Sequence, residues 1–160
     1  MKRVMIIGIF IALLFTGCHK NRPTATDLLA KLLSIQDTPS MTIHFEGAMP
    51  EEEGYFPINE ELKLYDGHSA TSLADEYAIA LCSDDRIYEI HIYHSLDLDK
   101  AEQIETVLRR RQTLLQKQDN YLFDPQSPGA GAVIWRNGKW VCLLVTDDND
   151  AAKDILRNST

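Results

Sequence analysis

The chain has 160 residues, 44% of them apolar and 25% charged, with a formal net charge of −8. That length is enough for one domain with a modest core. The acid excess argues against duplex nucleic acid or an anionic lipid surface as a ligand, because both would be repelled.

Lys2 and Arg3 form a basic head, and Val4 to Phe15 supply twelve almost wholly apolar positions, the build of an export signal. As a helix, twelve residues rise about 18 Å, short of the roughly 30 Å hydrocarbon core of a bilayer. A spanning anchor is therefore disfavoured. Phe15-Thr16-Gly17-Cys18 resembles the end of a bacterial lipoprotein signal, which runs aliphatic, small, small, cysteine. Phe15 stands where leucine is usual, and Leu14 lies one place early. The resemblance implies removal of residues 1–17 as a signal peptide. Cys18 then becomes the first residue, modified by fatty-acyl chains of the palmitate class through a diacylglyceryl thioether. Two chains hold a protein on a membrane where one does not. Removal takes Lys2 and Arg3 from the 16 basic residues and none of the 24 acids, moving the formal charge from −8 to −10.

Residues 18–25, the lipidated cysteine and a tether with Pro23, lead into a single domain over 26–160. Thr24 and Asp27 have the spacing of a capping box, and Leu28, Leu29, Leu32, Leu33 and Ile35 stripe the helix that follows. Residues 37–57 read as a loop, with five acids, three prolines and two glycines among other residues; Met41 to Phe45 within it alternates weakly as an edge strand. Residues 58–65, INEELKLY, predict a short helix stopped by Asp66-Gly67. EYAIALC (76–82) and IYEIHIYH (87–94) alternate as a hairpin, the second strand with one wet face. A helix is expected from about Asp97 to Gln118, with Asp99 and Glu102 at capping-box spacing. AVIWRNGKWVCLLVTDD (132–148) predicts a second hairpin turning at Asn137-Gly138, and a last helix runs from Asn149 to about Arg157. Strand-strand-helix twice, after a helical N-terminal region, predicts an α+β fold: an antiparallel sheet of two hairpins with helices on one face.

The lipoprotein signal, the leucine-rich opening helix, ELKLYDG, EYAIAL, the basic-acidic helix and GKWVCLLVTDDNDAAKDIL occur in that order. In this the chain resembles domain-of-unknown-function family 4358, small exported lipoproteins of mainly Gram-positive gut bacteria. The resemblance spans roughly residues 24–157 and implies an anchored envelope protein. It brings no catalytic residues with it, since the family has no established activity.

After lipidation Cys82 and Cys142 remain. An even pair in an exported domain points either to a disulfide or to two buried free thiols. His91 and His94 are three apart and face opposite sides of a strand, so they cannot share an ion. No HExxH or paired Cys-x-x-Cys occurs, and neither a metal nor any other cofactor is expected. The histidines read as exposed strand-edge residues. Asp147 to Asp150 reads as a turn and a helix start, where the dipole favours acids. Arg109-Arg110-Arg111 spreads over about 200° of its helix and reads as a solvated face, Arg109 pairing with Glu105. Trp135 and Trp140 flank the second turn; they form either a ligand platform on a solvent face or a cap on the core.

The expected function is non-enzymatic: a binding or accessory module anchored on the extracellular face of the cell membrane. Its partners would be the membrane, through the lipid, and an envelope protein or ligand, with no nucleic acid. Two readings compete, an envelope enzyme or enzyme inhibitor with a site in loop 37–57, and a subunit of a larger envelope complex.

Overall fold

The computed structural model describes residues 22–35, 38–45, 70–82, 87–122 and 131–160. Five strands form one antiparallel sheet: β1 (Met41–Phe45), β2 (Ala74–Cys82), β3 (Glu89–Ser95), β4 (Val133–Asn137) and β5 (Trp140–Val145), in the order β1-β2-β3-β5-β4. Among the described residues three α-helices accompany it: α1 (Ala25–Ile35), α2 (Leu98–Leu122) and α3 (Asn149–Ser159), with a 3-10 turn at Ala70–Leu73. The fold is α+β. None of the described helices is long and apolar enough to cross a membrane. Residues 58–65 and Cys18 lie outside the described residues.

The helices do not share one face, which corrects the expected two-layer arrangement. Ile79, Tyr93, Val141, Leu143 and Val145 point to one side and pack with Ile104, Val107, Leu108 and Leu115 of α2. Ala78, Ala80, Ile90, Ile92, Cys142 and Leu144 point to the other and pack with Leu28, Leu29 and Leu32 of α1 and Ala152 and Leu156 of α3. The physical reason lies in the strands. β5 throughout and β2 from Tyr77 onward are apolar at both parities, so each face must be covered. With a helix on either side, all seven residues of β3 are buried. The wet face expected of β3 does not exist, and His91 and His94 sit on the central strand rather than an edge.

Local chemistry sets the element ends. The box at α1 is reciprocal: Asp27 N donates to Thr24 Oγ1, and Thr24 N donates to Asp27 Oδ2, each at 3.1 Å. Asp97, not Asp99, caps α2 by accepting from Lys100 N at 2.7 Å, and the helix continues past Gln118 to Leu122. Asp148 caps α3 through Ala151 N at 2.9 Å. Asn137 pairs directly with Trp140, which moves the second turn one residue along, to Gly138-Lys139. Gly138 has φ +58°, the positive value that both primed hairpin turns require at their first central position.

Candidate functional site

β3 aims its side chains alternately at the two faces, and each face carries one polar cluster. Toward α2, the Arg111 guanidinium donates to Glu89 through Nε (3.1 Å to Oε2) and Nη2 (to Oε1). His91 Nε2 lies 3.1 Å from Glu89 Oε2, and its Nδ1 lies 3.3 Å from the Tyr93 hydroxyl. A carboxylate can only accept, so His91 Nε2 donates to Glu89, while its Nδ1 and the Tyr93 hydroxyl share the second bond. Burial alone would raise the Glu89 carboxyl. Hydrogen bonds from His91 and Arg111, with their charge, outweigh it and hold the group at about 2. Burial pushes the Tyr93 hydroxyl well above its ordinary range, so it keeps its proton. Each polar group here is committed to another, and the cluster acts as a polar rivet between β3 and α2.

The opposite face holds the second cluster, and a backbone irregularity creates it. Ala74 pairs with Ser95 and Glu76 with His94, leaving Asp75 as an extra residue. Such a bulge breaks the alternation of side chains and re-aims one of them. The Asp75 carboxylate reaches His94 Nδ1 at 2.6 Å. Asp75, Glu76 and His94 each present one ligand-type atom, all within 4.8 Å of one another. Glu76 Oε2 accepts from Ala25 N at 3.3 Å, and its Oε1 lies 2.7 Å from Arg22 Nη2. His94 meets the Trp140 ring edge-on, with centroids 4.8 Å apart, and the Arg22 guanidinium lies 5.4 Å from the centroid of the same indole. A cleft of about 370 Å³ opens beside them, lined by Arg22, Lys31, Trp140 and Ser159 with Pro23, Asn158 and Thr160.

The sequence-expected site residues take up these places. Trp140 is buried, and both Trp135 and Trp140 belong to the core under α1 and α3; this favours the core-cap reading over a platform on a solvent face, although Trp140 also borders the cleft. Trp135 faces Cys142 and Trp140 faces Asn137, so the two indoles are diagonal rather than directly opposed. Cys82 and Cys142 are free, which corrects the disulfide alternative. Ile92 pairs with both Ala78 and Cys142, and Cys82 lies four residues beyond Ala78. The thiols are thus about 10 Å apart across the sheet and about 13 Å along it, far beyond the roughly 7 Å Cα limit of a bridge. Arg109 does pair with Glu105, at 2.5 Å, but Arg111 leaves the solvated face for Glu89. Of the loop 37–57, residues 38–45 are described and the rest lie outside the described residues.

Arg22, Asp75 and Glu76 carried no functional reading in the sequence. Adjacent carboxylates on a strand point to opposite faces unless a bulge intervenes, and nothing in ADEYAIALC marks the bulge. A discernible sign was His94 itself, a polar residue on the apolar parity of the strand that turned out to be central. No family model matches the chain, and neither a curated protein nor a solved structure matches it.

Proposed function

We propose that the protein is an exported lipoprotein, held by Cys18 on the outer face of the cell membrane, whose domain is a non-catalytic binding or accessory module of the envelope. The observation that supports this best is the position of the cleft. Arg22 and Pro23 form part of its wall, and Arg22 follows Cys18 by four residues, at most about 14 Å of extended chain. Whatever occupies the cleft is thereby presented within a tether's length of the membrane surface. The lining offers two cations, an indole, an amide and hydroxyls, groups suited to recognition. The titratable groups buried under α2 are engaged with one another.

Cys18→Ser tests the anchor. The variant is expected in the medium or as unprocessed precursor, and it should lose incorporation of labelled palmitate. Membrane retention with normal cleavage would refute lipidation. Crosslinking on intact cells, followed by mass spectrometry, tests the module. A specific partner captured at the cell surface supports it, whereas turnover of an envelope substrate by the purified chain overturns it in favour of an enzyme.

A further inference from the structure

We propose that Asp75, Glu76 and His94 form a binding site for a divalent transition ion of the zinc class, and that the ion takes the place of Arg22 as the counter-charge on Glu76. The proposal goes beyond the anchored-module reading and does not depend on it. Three features carry it. First, the donor set is one imidazole nitrogen and two carboxylate oxygens within 4.8 Å of one another. Zinc-class ions accept that mixture at about 2.0–2.2 Å, whereas calcium prefers oxygen alone. Second, the β2 bulge places consecutive acids beside one histidine, an arrangement that a regular strand forbids. Third, Glu76 Oε1 is fully buried with no hydrogen-bond donor aligned on it. Arg22 Nη2 stands 2.7 Å away, compensating its charge without making that bond.

The exchange is feasible on both sides. The Arg22 side chain is 47% exposed, so its guanidinium can return to water when an ion replaces it. Asp75, with 38% of its side chain exposed, can shift to close the ligand set, and water completes the shell. His94 is the buried, fixed ligand, since its ring is wedged against Trp140. Displacing Arg22 also removes a cation from the same indole, so Trp140 reports on the exchange.

Titration of the detergent-solubilised full chain with Zn²⁺, and with Co²⁺ as the absorbing probe, tests the site. One saturable Zn²⁺ per chain is expected, together with Co²⁺ absorption bands and a change in tryptophan emission. Asp75→Asn, at an exposed position that the fold tolerates, should weaken binding at least about tenfold. Arg22→Ala should tighten it by removing the competing cation. Wild type binding Zn²⁺ no better than Asp75→Asn/Glu76→Gln would overturn the proposal. So would an affinity unchanged by Arg22→Ala, which would show that Arg22 and the ion do not compete.

Discussion

Arg111 on α2 and Glu89 on the central strand form a two-pronged ion pair, with Nε on one carboxylate oxygen and Nη2 on the other. Glu89 is 7% exposed, so little water is at hand to replace the guanidinium. A buried pair of this kind contributes little over an apolar pair of equal volume, yet breaking it on one side is costly. Arg111→Met is therefore expected to destabilise the domain by about 3–5 kcal/mol, measured by urea unfolding. Glu89→Leu/Arg111→Met should recover most of that loss. A single-variant cost below about 1 kcal/mol would show that the pair behaves as a surface bridge.

The same pair predicts the acid limb of stability. Glu89 titrates at about 2 in the folded domain, against 4.5 ordinarily. Between these values the unfolded chain binds the proton and the folded one does not, so stability rises with pH across the window. The contribution is fully present above about pH 4.5 and is lost as pH falls through about 2. Urea midpoints followed over that window should drop more gently in Glu89→Gln than in wild type. The difference in slope approaches about 1.4 kcal/mol per pH unit, the value for one proton. Equal slopes would mean that Glu89 is not held ionised by Arg111 and His91.

These two clusters show what was legible in the chain and what was not. The strands, the capping box at Thr24 and Asp27, and the edge position of Met41 to Phe45 follow from local patterns of period and cap chemistry. The two-sided core was also written there, because EYAIALC and WVCLLV are apolar at both parities, but two hairpins and three helices fit one face as readily on paper. Glu89, His91 and Tyr93 read as a wet face because alternation reports polarity and not burial. The partner that makes their burial tolerable, Arg111, lies 22 residues away on a helix whose own period places it among solvated arginines. Asp75 and Glu76 were hidden by a bulge of one residue, a feature set by pairing with β3 and carried by no residue type.

The two free thiols should differ sharply in reactivity. Burial pushes the Cys142 thiol well above its ordinary range, and the residue is fully enclosed between β3 and β4. Cys82, near the end of β2, is half-buried. The thiolate is the reactive form, so native alkylation is expected at Cys82 alone, with Cys142 labelled only after unfolding. Peptide mapping after iodoacetamide checks this. A Cys82–Cys142 crosslinked peptide from non-reduced protein would contradict the strand register.

Gly138 isolates a backbone effect. A Cβ there would meet nothing within 4 Å, and φ is +58°, so any penalty is conformational rather than steric. Gly138→Ala is expected to cost about 1 kcal/mol, and Gly138→Asn less, because asparagine tolerates the left-handed region. Thermal unfolding of the pair measures the difference. Equal costs would place the strain elsewhere in the turn.

The three-layer arrangement has its own test in Leu32. If the helices lay on one face, a leucine of α1 could be trimmed with modest effect on the strands. Instead Leu32 is 1% exposed and packs in the core that includes Ile90, Ile92, Leu144 and Trp140. Leu32→Ala removes three carbons from a closed interior and leaves a void, at about 2–5 kcal/mol. The matching variant on the other face, Leu108→Ala, lies in the α2 core and should cost a similar amount. The two sites share no side-chain partner across the sheet, so the losses should add in the double variant to within about 0.5 kcal/mol. Strong non-additivity would mean that a single core couples both helices on one face, contrary to the sheet standing between them.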